Sequence, residues 1–197
     1  MQIWFTSDLH LWLCHDRDFI FKPRGFENVE SHNEEIVRKW NEVVSDEDIV
    51  YILGDIMLND NEKGIELFNQ LKGMKKIIIG NHDTSSRVEL YSSCPNTTIL
   101  GYADIVKYKG YHFYLSHYPT LTSNLDEDKP LKTRTICLCG HSHYKNKFKD
   151  MDKGLVYHVE VDAHSCYPIS IDDIVTEIKT FISLDDNAKK ELCESNM

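Results

Sequence analysis

Five short polar clusters stand at or beside apolar runs of strand length, and this placement constrains the chain more than any other feature. Asp8-Leu9-His10 comes after Ile3-Trp4-Phe5, Gly54-Asp55 after Ile49-Val50-Tyr51-Ile52-Leu53, and Gly80-Asn81-His82-Asp83 after Ile77-Ile78-Ile79. Ser116-His117 follows the run from Tyr111 to Leu115, and Gly140-His141-Ser142-His143 follows the run from Thr135 to Cys139. Open α/β sheets bind ligands at the carboxyl ends of their strands, where side chains distant in sequence converge on one crevice.

The pattern between the clusters supplies the scaffold. Gln2 to Ser7 reads as a strand. Ser31 with Glu34 has the form of a capping box, and Ile36, Val37, Trp40, Val43 and Val44 follow at helical spacing, predicting a helix over 32–44. A strand over 48–53, a helix over 61–72 with Ile65, Phe68 and Leu71 on one face, and a strand over 75–79 complete a parallel βαβ series. Short β-rich runs follow at 98–100, 104–108 and 111–116, the last two joined by Lys109-Gly110, which suits a two-residue hairpin turn. Further strands are predicted at 135–139 and 155–162. Ser170 then caps an amphipathic helix carrying Ile171, Ile174, Val175, Ile178 and Ile182, and the polar tail 185–197 is expected to fray. No repeat or linker divides the 197 residues, so a single domain over 1–197 is expected.

Composition narrows the partners. The apolar fraction of 41% and charged fraction of 27% are those of a globular chain, and a net charge of −10 disfavours a large nucleic-acid interface. No apolar run reaches 18 residues, and Met1-Gln2-Ile3-Trp4 lacks the basic region of a signal peptide, so no membrane association and a cytoplasmic location are expected. The six cysteines form no disulfide framework and read as reduced, mostly buried thiols. In the loop from Leu9 to Asn28, His15, Arg17, Lys22 and Arg24 are possible substrate contacts, but solvated loop charges are the simpler expectation. His112, His158 and His164 are expected in packing or surface roles, with Asp162-Ala163-His164 able to approach the strand ends. An acidic stretch, Asn124 to Pro130, lies in the loop between Tyr118 and Arg134.

The clusters gather His10, His82, His117, His141 and His143 with Asp8, Asp55 and Asn81. Imidazole and carboxylate donors together suit first-row divalent ions such as Mn, Fe, Ni or Zn. So many donors exceed what one tetrahedral ion needs, and two ions sharing a carboxylate is the economical arrangement, as in enzymes that cleave phosphate esters. A closed structural zinc site of Cys137, Cys139, His141 and His143 is the competing reading. It leaves Asp8, His10, Asp55, Asn81 and His117 without a role, and the two cysteines are more simply core.

Taken in order, Asp8-Leu9-His10, Gly54-Asp55, Gly80-Asn81-His82-Asp83, His117 and Gly140-His141-Ser142-His143 resemble the signature of the calcineurin-like metallophosphoesterase superfamily. The resemblance implies an α/β fold of two packed mixed β-sheets flanked by helices, in a four-layer sandwich. It also implies two divalent metal ions: Asp8, His10 and His143 on one, Asn81, His117 and His141 on the other, and Asp55 bridging both. His82 is then the catalytic residue facing the substrate, oriented by Asp83. Two dications against the two aspartates leave the site formally about +2, suited to a phosphate ester and to hydrolysis by metal-activated hydroxide. Ile56-Met57-Leu58 follows Asp55 where phosphoprotein phosphatases carry Asp-Arg-Gly, so the chain looks more like the small bacterial and phage phosphoesterases. The expected substrate is a small-molecule or nucleotide-type phosphodiester or phosphomonoester. A non-catalytic scaffold of the same fold, acting in protein–protein interaction, is the alternative.

Overall fold

The computed structural model describes residues 1–13, 15–121 and 130–195; the acidic stretch at 124–129 and Cys14 lie outside them. Two mixed sheets form the centre. The first has the order β4-β3-β2-β1-β9, from β1 (Ile3–Thr6), β2 (Ile49–Leu53), β3 (Met74–Ile78), β4 (Thr97–Gly101) and β9 (Ile169–Ser170). Its first four strands are parallel, and β9 runs antiparallel to β1. The second has the order β5-β6-β7-β8, from β5 (Ala103–Tyr108), β6 (Tyr111–Ser116), β7 (Thr135–Cys139) and β8 (Val156–His158). Here β5 and β6 form the expected hairpin, with Lys109 and Gly110 both at positive φ as a type I′ turn requires, and β6, β7 and β8 are parallel.

Six α-helices flank the sheets: α1 (Asp18–Phe21), α2 (Val29–Val43), α3 (Asn61–Phe68), α4 (Ser85–Ser93), α5 (Ile171–Ser183) and α6 (Asp186–Glu194). Trp40 of α2, Phe68 of α3 and Tyr91 of α4 pack with Ile52 and Ile77 on the outer face of the first sheet. The inner faces meet through Phe5 and Phe113, whose ring centroids are 6.5 Å apart. Around them lie Leu53, Ile78, Leu115 and Leu138, joined by Ile174, Ile178 and Phe181 of α5. The parallel strands of the first sheet are therefore buried on both faces, which is why they read as continuous apolar runs.

Several element boundaries differ from the sequence expectation, each for a physical reason. The cap of α2 is Asn28, whose side chain accepts from the Ser31 N–H, not Ser31 itself. Starting the helix earlier lets Val29 join a small apolar cluster with Leu13, Ile20, Phe21 and Leu58. The strand expected over 155–162 stops at His158, and Val161–His164 is a 3-10 turn. The tail is helical through Glu194: Asp185 caps α6, Cys193 is buried, and the Asn146 amide donates to the carbonyls of Leu192, Cys193 and Ser195. Helix α4 buries only Tyr91, too little to leave a periodic apolar signal in the sequence.

Asp83 ties the strand ends together. Its Oδ2 accepts from the N–H groups of Asp55 (2.8 Å) and Gly80 (2.9 Å), and its Oδ1 accepts from the Ile56 N–H (3.2 Å) and the Tyr91 hydroxyl (3.0 Å). The carboxylate thus organises backbone at the ends of β2 and β3, and the expectation that Asp83 orients His82 is not met. Replacing it strands three buried N–H groups, each costing about 1–3 kcal/mol. Asp83→Ala is accordingly expected to lower unfolding stability in urea by about 3 kcal/mol or more, while Tyr91→Phe lowers it by about 1 kcal/mol.

His158 is held in a second buried polar cluster on β8, with Nδ1 3.1 Å from Glu160 Oε1 and Nε2 3.1 Å from Asp150 Oδ2. Burial disfavours its charge, but the hydrogen bonds and charges of Glu160 and Asp150 outweigh burial and raise its pKa above 6.5. A group whose pKa is raised on folding stabilises the fold fully below its unfolded value and loses that contribution as pH rises through the folded value. An NMR titration is expected to show the His158 ring changing charge above pH 6.5, with urea stability declining over the same range; titration below 6.5 would contradict the arrangement.

Candidate metal centre

Turns at the strand ends aim the candidate side chains at one another. Asp8, His10, Asp55, His141 and His143 all adopt positive φ, between 46° and 72°. Left-handed backbone costs an ordinary residue roughly 1–2 kcal/mol, so five such residues in one place mark a geometry maintained by its surroundings. Backbone bonds knit the turns: Asp8 N to Gly54 O (3.0 Å), His10 N to Asp55 O (3.1 Å) and Gly140 N to His117 O (3.0 Å). The glycines permit the close approach. A Cβ on Gly80 would collide with the Asp55 carboxylate, and one on Gly140 with the Asp8 carboxylate and the Ser7 hydroxyl.

Each aspartate uses one oxygen to hold a neighbouring turn. Asp8 Oδ2 accepts from the His141 N–H (2.9 Å), and Asp55 Oδ1 accepts from the His82 N–H (2.9 Å). The other oxygens face imidazoles. Asp8 Oδ1 is 3.7 Å from His143 Nε2 and 3.9 Å from His10 Nε2, and it is buried without a hydrogen-bond partner. Asp55 Oδ2 is 3.5 Å from His117 Nε2 and 3.9 Å from His10 Nε2, lying between two groups of imidazoles.

In one group His10 Nε2 and His143 Nε2 are 3.1 Å apart. In the other, Asn81 Oδ1 is 2.8 Å from His117 Nε2 and 2.9 Å from His141 Nδ1, and those two nitrogens are 3.2 Å apart. The opposite ring atoms explain which nitrogens carry hydrogens. His117 Nδ1 lies 2.8 Å from the Leu53 carbonyl and His143 Nδ1 lies 3.0 Å from Asp162 Oδ2, both pure acceptors, so each Nδ1 donates and each Nε2 is left facing the centre. Lone pairs thus converge from several sides. Ligand atoms of Asp8, His10 and His143 all lie within 4.8 Å of one another, as do those of Asp8, Asp55 and His117, so either group could hold a metal ion. With metal–ligand bonds of about 2.1 Å, ligand atoms near 3 Å apart are the expected edges of a coordination shell. The sequence-derived donors therefore come together, while Cys137 and Cys139 turn away to pack with Val156 and Tyr114.

Burial pushes the Asp8 carboxyl up to about 6 and holds the His10 imidazole well below its usual value, the latter assisted by the charge of Arg24. His141 is lowered by burial and by His117. Burial also opposes charge on His143, yet the hydrogen bond to Asp162 raises its pKa. These shifts disfavour charge on Asp8, His10 and His141 and favour it on His143.

Arg24 and Asp162 were not expected to matter in this way. Arg24, read from the sequence as a solvated loop charge, has a side chain only 1% exposed. It clamps Asp162 through Nε (2.9 Å) and Nη2 (2.7 Å), and donates to the Asp8 carbonyl (2.9 Å) and to His32 Nε2 (2.9 Å). Its charge holds the Asp162 carboxyl far below the usual range against the effect of burial. Asp162 then orients the His143 ring, an arrangement common behind metal-binding histidines. His15 stays exposed beside Glu30, and Lys22 pairs with Asp18 on the surface, as expected of loop charges.

An open cleft of about 350 Å³ lies over the centre. His82, Asn81 and His141 line one part of it, and Arg17, Phe19 and Lys145 another. His82 is 41% exposed, with Nε2 3.9 Å from Asp55 Oδ2, and Arg87 donates to its carbonyl (2.6 Å). No helix among the described residues is long and apolar enough to cross a membrane.

Comparison with known proteins identifies the family and the fold. The chain is 32% identical over 184 residues to an uncharacterised protein of Methanocaldococcus jannaschii, covering 90% of this chain and 92% of that one. It is 28% identical over 205 residues to the Gene 66 protein of Mycobacterium phage D29, covering 90% and 98%. A protein of unknown function from Aquifex aeolicus shares the fold, with a TM-score of 0.68 at 23% identity over 90% of this chain and 99% of that one. Residues 1–160 match the calcineurin-like phosphoesterase superfamily domain, and the chain belongs to that superfamily.

Proposed function

We propose that the protein is a metal-dependent phosphoester hydrolase with a dinuclear centre. The observation that carries this reading is Asp8 Oδ1, a buried carboxylate oxygen with no hydrogen-bond donor, set between the Nε2 atoms of His143, whose Nδ1 is held by Asp162, and of His10. A donor set of this kind fits a divalent cation of the Mn, Fe, Ni or Zn type, with manganese a suitable choice for assay. Asp8, His10 and His143 would hold one ion and Asn81, His117 and His141 the other, with Asp55 Oδ2 shared. When bound, such ions supply Lewis-acid charge for phosphoryl oxygens and a nucleophile from water at neutral pH.

The chain's own residues supply the rest. Asp83 holds the Asp55 backbone N–H and the His82 N–H holds the Asp55 carboxylate, so that its free oxygen stays between the two imidazole groups. Asp162 holds the His143 ring, and the Leu53 carbonyl holds His117. His82 is the one imidazole of the cluster held by its backbone with its ring free in the cleft, which places it to hydrogen-bond a phosphoryl oxygen or give a proton to the leaving alkoxide. The cleft volume suits a small or nucleotide-type phosphoester, diester or monoester. A non-catalytic scaffold would have no need of a free His82 in a cleft over an intact donor set.

Hydrolysis of bis(4-nitrophenyl) phosphate in Mn²⁺ tests the reading. The wild type is expected to turn over, and His82→Ala to lower kcat by about 10²- to 10⁴-fold while retaining its metal. No turnover by a fully metal-loaded wild type on phosphodiesters, phosphomonoesters or cyclic nucleotides would contradict it.

A further inference from the structure

The cleft over the centre does not end at the metal-facing residues. A second cavity of about 200 Å³ shares Pro23, Asp162 and Lys145 with it, so the two adjoin. Three cations, Arg24, Lys39 and Lys145, line this extension against the single carboxylate of Asp162. That carboxylate is already committed to Arg24 and His143. Lys39 lines the far wall, its Nζ bonded to the Ser165 carbonyl (2.8 Å) and paired with Glu35 (3.4 Å).

Lys145 lines both cavities. Some cations of this chain, Lys22, Arg24, Arg38, Lys109, Lys147 and Lys153, have a carboxylate within 2.8 Å, while others do not. Among the described residues Lys145 has none, and Arg17, across the main cleft, has only the ring of Phe19 at 5.8 Å. An unpaired ammonium at the junction of two cavities, in an acidic protein, is placed for an anion that comes with the ligand.

We infer that the extension is a subsite for a second phosphate, so that the preferred substrate is a phosphoester carrying another phosphate group on the same small molecule, as in a nucleoside bisphosphate ester. This rests on the phosphoesterase reading of the centre. Lys145 takes the second phosphate as a charge-assisted donor, and Lys39 adds to the field from the far wall. The acidic surface and the short groove match a small molecule and not a long polynucleotide, which would need an extended basic track.

A matched pair of esters tests the subsite: the 4-nitrophenyl ester of thymidine 5′-phosphate with and without a 3′-phosphate, assayed with the Mn²⁺-loaded full chain. The wild type is expected to prefer the bisphosphate in kcat/KM by about tenfold or more, Lys145→Ala to reduce the preference to about twofold, and Lys145→Arg to keep most of it. Equal kcat/KM for the two esters, or an unchanged preference in Lys145→Ala, overturns the subsite and leaves the phosphoesterase reading standing. Should neither ester be cleaved, binding decides. Equilibrium dialysis on Mn²⁺-loaded His82→Ala is expected to show thymidine 3′,5′-bisphosphate bound at least about fivefold more tightly than thymidine 5′-phosphate, a difference lost on adding Lys145→Glu. Equal affinities overturn the inference.

Discussion

Acceptors facing one another, those of Asp8, Asp55, His10 and His117 buried, are the constraint on which this structure turns. Asp8 Oδ1, Asp55 Oδ2, Asn81 Oδ1 and ring nitrogens of four histidines crowd into a small volume where few protons are available to share. Gathering carboxylates and lone pairs out of water is unfavourable unless positive charge joins them. The rise of the Asp8 pKa to about 6 expresses that deficit in the protein alone. In the proposed reading two divalent ions remove it, and the residues behind the ligands exist to keep the lone pairs aimed.

Much of the surrounding fold serves that aim. Five donors hold left-handed backbone conformations, which the turn-to-turn hydrogen bonds and the four donors to Asp83 keep in place. Gly80 and Gly140 let one turn press against the carboxylate of another. Arg24 reaches from the loop after β1 across to Asp162 after β8, so both loops flanking the centre are fixed by one buried ion pair. Such a pair is worth little as net stability but costs much if half of it is removed, which favours its retention as a positioning device.

The parts of this arrangement legible in the sequence are the local ones. A polar cluster beside an apolar run identifies a strand end without knowledge of the partner strands, so the turns of the candidate site, the βαβ series and the Lys109-Gly110 hairpin could all be read directly. His141 and His143 stand two apart in one such cluster, and both lie at positive φ. What could not be read is long-range. Arg24 and Asp162 are 138 residues apart, and nothing in an aromatic, charged loop distinguishes a buried guanidinium from a solvated one. Asp83 was legible as part of its cluster but not in its role, because its partners are backbone groups of another strand end. The one available hint was Asp162-Ala163-His164 near the site, where Asp162 does reach His143 while His164 turns to the His158 carbonyl.

In the proposed centre Asp55 is shared between two ions. Elemental analysis of the purified protein, wild type beside Asp55→Asn, reads this out: about two divalent ions per chain are expected in the wild type, falling sharply in the variant. A single tightly held zinc unaffected by the substitution would contradict it.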